Sequence, residues 1–575
     1  MTTKILYLFS ILLLSLNGSP INAQQEKQVK NVIILIPDGT SSSILSLSRW
    51  YKYGICPEDE CWLNIDPYIS GFVKTHSSDA PTGDSAPTGS TYATGHLSHT
   101  GFIATYPPSA GKAKDLVNID PTMAYQPLFT ILEAAKLDQK STGLVVTCQF
   151  PHATPAAFSS HTPYRDKYYN IAKQMVYNNL NVVFGGGTKY LSPLKRDDKE
   201  DLVAVLKSKN YNYVTTKKDF NRLSSSDSLV WGLFADDALP NDLDTNKDSI
   251  PSISEMTDKA IQILSQNKKG FFLMVEGSKV DWSAHNNDPV GMVTEFLAFD
   301  EAVKVAIDFA KKDGNTAVVI CPDHGNSGMS IGNARMASGY DTVTVASLVK
   351  PLRDCKLTAD GLASLIKPLT GDTDILKAFK ENTNITLNPQ ELETIKTAMK
   401  AGGLSRAIAK IITSRTYIGF TTNGHTAEDV LLANYHPHNY RLGGVVQNST
   451  VNAYMREISG NKNLDSLTRE KYCIDSVALK GLFWEIQDRY TGTALDSSHY
   501  GTLIIKKDKK SRKRVEIKAY TDYITLFDGK NEVKKMALNG LAINTYLQEP
   551  KNKKKLTLNR FYIPKSTGKL VEGLL

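Results

Sequence analysis

The chain has 575 residues, 41% of them hydrophobic and 22% charged, with a net charge of +8. This is too long for one small domain and apolar enough to bury an ordinary core, in about two to four folding units or one large α/β domain with insertions. A charge of +8 over this length is mild: it fits an anionic substrate or an evenly solvated surface, and does not by itself call for nucleic acid.

Lys4 precedes an apolar run from Ile5 to Leu16, broken by Ser10 and Ser15, and small and polar residues lead to Ala23. This pattern predicts a secretory signal peptide over residues 1–23 and an exported mature protein, periplasmic or secreted. A membrane anchor is the alternative, but the run is short of the roughly 20 apolar residues that span a bilayer. No later stretch reads as transmembrane, so no membrane span is expected in the mature chain.

Asn31 to Ile36 reads as a buried strand that stops at Pro37-Asp38-Gly39. Ser85 to Gly95 is rich in small residues and reads as a tightly packed helix start. Leu128 to Ala135 has helical periodicity. Leu144 to Thr147 and Val182 to Phe184 read as strands, the second followed by three glycines. Gly270 to Val275 is an apolar strand ending at Glu276. Met292 to Lys311 is helical, and Thr316 to Ile320 is a strand ending at Pro322-Asp323-His324. Strands alternating with helices predict a three-layer α/β sandwich with a mostly parallel central sheet. Residues from about 340 to 420 carry Lys-, Ala- and Leu-rich helical patterns and read as a helical insertion. Residues 456–494 read as a connecting segment. From about 495 to 575 alternation and the Asp528-Gly529 hairpin signal predict a small β-rich appendage.

The tail carries basic runs at Lys506 to Arg514 and Lys551 to Lys555. No aromatic platform accompanies them, so lysine-protected hairpin edges are the expected reading and no nucleic-acid partner is expected. Of six cysteines, Cys56 and Cys61 are near enough to pair, or stand as two free thiols. Neither CxxC pairs nor zinc-ribbon spacings occur, which argues against a structural zinc site built on thiolates.

Acidic and imidazole groups gather where the apolar strands stop: Asp38, Glu276, Asp323 and His324. Ligands in open parallel sheets bind beyond the carboxyl ends of strands, and three strands each delivering such groups suggest a metal site. Asp281 and His285, four apart, share a face if helical, and carboxylate with imidazole suits zinc. His425 lies in a loop-like Asn423-Gly424-His425-Thr426 stretch. Ser85 opens a helix whose free N–H groups and dipole favour phosphate. Beside a divalent ion its hydroxyl can lose a proton without a histidine base. Taken alone, Ser85 would read as a plain helix cap.

The stretch Asp84 to Gly95, DSAPTGSTYATG, resembles the nucleophile motif of alkaline phosphatases. Val275 to His285, VEGSKVDWSAH, is similar to that family's VEG…D…H motif, Pro322-Asp323-His324 to its (A/S)DH motif, and Asn423 to Thr426 to its late GxHT-like motif. His152 to Ala156 resembles its (D/H)ATPA motif, with Arg165 where the family carries a phosphate-gripping arginine. The motifs occur in the family's order over roughly residues 30 to 455, which places a catalytic domain at 24–455. The resemblance implies phosphomonoester hydrolysis through a phosphoserine at Ser85. It implies one zinc at Asp281, His285 and His425, and a second at Asp38, Asp323 and His324. It also implies a magnesium at Asp38, Thr154 and Glu276, an oxygen-clamping Arg165, and a homodimer. Two metals about 4 Å apart would stabilise entering and leaving oxygens.

Three departures stand out. Pro37 replaces the family's usual glycine beside the metal aspartate, Pro87 follows the nucleophile, and His152 and Trp282 stand where some relatives have Asp and Lys. That pair resembles certain marine and cold-adapted bacterial members, bears on the third metal, and would line the substrate side. A sulfatase would carry (C/S)xPxR, and the arginine is missing after Ser85-Ala86-Pro87. A phosphodiesterase of the same superfamily and a non-catalytic polyanion binder are the remaining alternatives; Arg165 argues against the first and the intact ligand set against the second.

Overall fold

The computed structural model describes residues 27–53, 61–111, 114–337, 339–461, 463–487, 501–549 and 552–575. The expected signal peptide and Cys56 lie outside these residues; Cys61 is disulfide-bonded.

Ten strands form one sheet: β1 (Asn31–Pro37), β2 (Ile69–Lys74), β3 (Ser141–Gln149), β4 (Val182–Gly186), β5 (Asn212–Val214), β6 (Val230–Leu233), β7 (Phe271–Gly277), β8 (Thr316–Ile320), β9 (Val430–Tyr435) and β10 (Gly444–Gln447). Their order is β10-β2-β9-β8-β1-β7-β3-β4-β6-β5. Only β9 runs against its neighbours. A parallel sheet must be covered on both faces, so its central strands are apolar throughout rather than alternating. Accordingly, every residue of β1 and β7 is buried. Val32, Ile34 and Ile36 enter one core and Ile33 and Leu35 the other, on opposite faces of the sheet.

The helices fill both layers. On the Ile34 face lie α2 (Ser85–Thr94), α3 (Ala153–Ser159) and α11 (Asn448–Ser459); on the Leu35 face lie α1 (Ser42–Lys52) and α5 (Pro289–Asp313). Between β7 and α5 sits the short α4 (Lys279–His285). The limits of α5 follow from its sequence. Asp288 caps it by accepting from Val290 N–H, Pro289 occupies the first turn where no N–H is needed, and Gly314 ends it at φ 67°.

The helical insertion comprises α6 (Val345–Arg353), α7 (Ala359–Ile366), α8 (Asp372–Thr383), α9 (Pro389–Ala401) and α10 (Leu404–Thr413). Thr344, Thr358 and Asn388 cap three of these helices through their side chains. Val349, Ile366, Phe379, Ile395 and Ile408 join the Leu35-face core.

The C-terminal part is antiparallel. β12 (Phe483–Gln487), β13 (Thr502–Lys506), β14 (Lys513–Lys518), β15 (Tyr523–Asp528) and β16 (Asn531–Ala537) form a meander, while β11 (Cys473–Ile474) pairs with β18 (Asn552–Ile563), which pairs with β17 (Ile543–Glu549). The first meander strand thus begins inside the segment read as a connection. Its residues alternate only between half-buried and exposed, which leaves a weak pattern in the sequence. Leu503, Ile505, Val515 and Ile517 belong to the Ile34-face core, so the sheet is packed onto the main body. The basic run from Lys506 forms the exposed β13–β14 turn, where Arg512 pairs with Asp528 and Arg514 with Glu516. Among the described residues no helix is long and apolar enough to cross a membrane.

Candidate active site

Three adjacent strands end together. β1 lies between β7 and β8, with Ile36 opposite Glu276 and Leu35 opposite Ile320. Asp38, Glu276, Asp323 and His324 therefore emerge at one sheet edge, and all four are buried. Gly39 allows the close approach of α4 to this edge: its φ is +61°, and a Cβ there would stand 2.9 Å from the Asp281 Cα.

The residues fall into three groups of possible metal ligands. In the first, His285 Nε2 lies 3.3 Å and His425 Nε2 3.6 Å from the Asp281 carboxylate. The two imidazole nitrogens are 3.2 Å apart. His425 is not on a free loop: His425–Thr426 pairs with Gly325–Asn326, which sets its ring 3.8 Å from that of His324. In the second group, His324 Nε2 lies 3.5 Å from Asp38 and 3.4 Å from Asp323. The third contains Cys148, His152 and Glu276.

The donor set fits cations. His285, His324 and His425 each direct Nδ1 at a backbone carbonyl, of Asn423, Gly325 and Gly83 respectively, at 2.8, 3.1 and 3.0 Å. A carbonyl only accepts, so each Nδ1 carries a proton, leaving Nε2 as the ligand atom facing its group. Asp323 Oδ1 accepts from the Gly39 and His324 N–H groups, while its Oδ2 is buried without a partner. So are both oxygens of Asp38, one of Glu276, the Thr154 hydroxyl and His152 Nδ1. Burial without hydrogen bonds is costly for such groups unless positive charge meets them.

Proton affinities report the same crowding. Burial, then the charges of Asp323, Asp281 and Glu276, lift Asp38 well above the usual carboxylate range. Burial and Asp323 push Glu276 up to about 7. Asp281 is held low despite its burial by the hydrogen bond from His285 and by His324. The Asp281 bond raises His285 to about 9, and a cation would take the place of that proton.

Ser85 opens α2 with its Oγ 3.3 Å from His324 Nε2. The first N–H groups of a helix have no intrahelical partner, and the Asp84 side chain does not cap them. Asp84 instead receives a hydrogen bond from Arg165 Nη1. Arg165 Nη2 is 3.4 Å from His152 Nε2, and burial, then the Arg165 charge, pulls His152 down to about 3. Trp282 packs edge-on against His152 at 5.8 Å between centroids. Thr154 sits in the first turn of α3 and is fully buried. The structure thus brings the expected carboxylates and imidazoles together at this edge, with Ser85, Arg165 and Trp282 in contact with them.

Four contributors were missed: Cys148, Asp84 as the partner of Arg165, Asn326, whose Nδ2 donates to Asp281 Oδ1 at 2.6 Å, and Arg406 of α10, which donates to the His285 carbonyl at 3.2 Å. The Cys148–His152 spacing of four, from a strand end to a helix start, was the available signal for the first. Arg406 shows that the insertion forms part of the rim.

The alkaline phosphatase family description matches residues 29–460. The chain is 35% identical over 446 residues to "Alkaline phosphatase 3" of Bacillus subtilis (strain 168), covering 75% of this chain and 90% of that protein. It is similar to a cold-active alkaline phosphatase from the psychrophile Shewanella sp., with TM-score 0.64, 29% identity, and coverage of 75% of this chain and 99% of that one. The Thermus thermophilus alkaline phosphatase shares the fold, with TM-score 0.66 at 23% identity over 79% and 96% of the two chains.

Proposed function

The chain belongs to the alkaline phosphatase family, a family of metal-dependent phosphomonoester hydrolases, and from that premise we propose that it works through Ser85 as a covalent nucleophile. The observation that carries this reading is the Ser85 hydroxyl at the start of α2, 3.3 Å from His324 and beside two carboxylate–imidazole groups. Asp281, His285 and His425 would hold one zinc, and Asp38, Asp323 and His324 a second. Glu276, with Asp38 and Thr154 close by, would face a third ion. Bound cations would neutralise phosphate charge and favour loss of the Ser85 proton.

The chain's own residues do the rest. Arg165, oriented by Asp84, offers its guanidinium to two non-bridging oxygens of the substrate, a geometry that suits a monoester better than a diester. The free N–H groups at the start of α2 add hydrogen bonds to the same phosphate. Ser85 Oγ bonds to phosphorus as the bond to the leaving oxygen breaks, releasing the alcohol and leaving phosphoserine. Water then attacks the phosphorus from the side the alcohol left, returning the serine hydroxyl and inorganic phosphate. Such a reaction asks for positioning and charge neutralisation more than for a general base.

Ser85→Ala should abolish turnover of a chromogenic phosphomonoester while zinc content stays at the wild-type level; wild-type turnover in that variant would end this assignment. Export with cleavage after Ala23, a homodimer, and a separately bounded C-terminal appendage belong to the same reading. Mass spectrometry of the mature chain, light scattering and limited proteolysis check them in turn.

A further inference from the structure

Cys148 stands near the end of β3, four residues before His152, and is fully buried. Its sulfur is 3.5 Å from Glu276 Oε2. One ligand atom from each of Cys148, His152 and Glu276 lies within 4.8 Å of the other two. His152 Nδ1 and Glu276 Oε1 are buried without hydrogen-bond partners. A sulfur, an imidazole and a carboxylate thus converge in a place closed to solvent, with lone pairs unused.

Magnesium is a poor occupant for such a set. It demands near-octahedral oxygen ligands at about 2.0–2.1 Å and keeps several waters; thiolate and imidazole select softer metals. Zinc takes thiolate at about 2.3 Å and nitrogen or carboxylate oxygen at about 2.0 Å. On a tetrahedral centre those lengths put sulfur and oxygen about 3.5 Å apart, which is the Cys148–Glu276 separation. The family's oxygen set at this position uses Asp38 and Thr154 with Glu276; here the sulfur and imidazole reach the same carboxylate from β3 and the start of α3.

We propose that the third cation of this chain is a zinc held by Cys148, His152 and Glu276, in place of the magnesium that the family resemblance implies. This rests on the reading of the two neighbouring groups as zinc sites. On binding, the Cys148 sulfur gives up its proton to solvent and bonds to the metal, with no change of oxidation state. With Nδ1 on the metal, His152 would carry its proton on Nε2, which faces Arg165 Nη2 at 3.4 Å and then accepts no hydrogen bond from it, so the third ion would leave the guanidinium to Asp84 and the substrate while neutralising Glu276.

The test uses the full chain loaded with zinc and excess magnesium together, then dialysed. Metal content is measured by plasma mass spectrometry, and X-ray absorption is recorded at the zinc edge, for wild type, Cys148→Ser and Cys148→Ala. The expected result is a third zinc equivalent with a sulfur scatterer at about 2.3 Å in wild type, both lost in the two variants. Two zincs and one magnesium in wild type, without a sulfur scatterer, would overturn the proposal and leave the Ser85 mechanism standing. A chain that takes up no zinc at all would overturn both. The wild-type spectrum decides the matter even if a variant fails to fold, and Cys148→Ser, which keeps the side chain's shape, separates a lost ligand from a lost structure when its circular dichroism matches wild type.

Discussion

Replacing Gly39 by alanine probes how tightly the first metal group is built. Gly39 has φ +61°, and an added Cβ would lie 2.3 Å from Asp281 Oδ1, 2.8 Å from its Cβ and 2.9 Å from its Cα. The left-handed backbone costs an L-residue about 1–2 kcal/mol. The overlap adds about 1–3 kcal/mol, because it involves the Asp281 backbone and turning that side chain away does not relieve it. The sum is about 2–5 kcal/mol. To make room α4 must shift, drawing Asp281 away from His285 and His425. Gly314→Ala is the control: its φ is +67° and nothing lies within 4 Å of the added carbon, so it pays the backbone cost alone. Urea denaturation and zinc content of both variants should show Gly39→Ala the less stable by about 1–3 kcal/mol and short of one zinc, with Gly314→Ala fully loaded. Equal stability and equal zinc would refute the reasoning.

The other expectations follow from single contacts. Burial, with the Lys279 charge and the Asp242 N–H only partly offsetting it, raises Glu295 from 4.5 to about 7. The folded chain then binds that proton more tightly than the unfolded one, so this contribution to stability is full below about pH 4.5 and lost as pH rises through 7. At about 1.4 kcal/mol per unit it amounts to about 3 kcal/mol. Glu295→Gln, which keeps an acceptor for Asp242 N–H, should therefore lose less stability than wild type between pH 5 and 8.5; parallel pH profiles would contradict this. Arg165→Ala should weaken inhibition by phosphate about 10–100-fold, as expected for about 1.5–3 kcal/mol of charged hydrogen bonding, with zinc content unchanged. An inhibition constant equal to wild type would remove the clamp from the account. Asn326→Ala frees Asp281 Oδ1 from its 2.6 Å donor and should lower zinc affinity about 10–100-fold in competition with a chromogenic chelator; undiminished affinity would show that Asn326 does not orient the ligand.

Much of the site was legible because the central strands are apolar runs that stop abruptly. Asn31 to Ile36 and Thr316 to Ile320 have no solvent face, so the first acid after each marks the sheet edge, and the edges of β1, β7 and β8 coincide in space. The Asp281–His285 spacing carried its own geometry, since four residues of helix set both side chains on one face. Cys148 was not legible in the same way. Buried strand cysteines are ordinary core residues, and the four-residue spacing to His152 does not by itself reveal that the Cys148 sulfur turns toward Glu276, 128 residues away. The Arg165–Asp84 pair was hidden for a similar reason: 81 residues separate the partners, and proximity depends on how α2 and the segment after α3 meet. The reversal of β9 within the ten-stranded sheet escaped because its direction is fixed by pairing with β2 and β8 rather than by its residues. The half-exposed β12 lacked the alternation that revealed β14 and β15.

The central claim, a covalent step at Ser85, is tested most directly by mixing the zinc-loaded enzyme with a phosphomonoester, quenching in acid within the first turnovers, and mapping phosphate by peptide mass spectrometry. The account predicts one phosphate, on the peptide carrying Ser85, which disappears in the Ser85→Ala variant. Turnover that proceeds at the wild-type rate with no phosphate on the chain at any quench time would contradict it and point to direct attack by water.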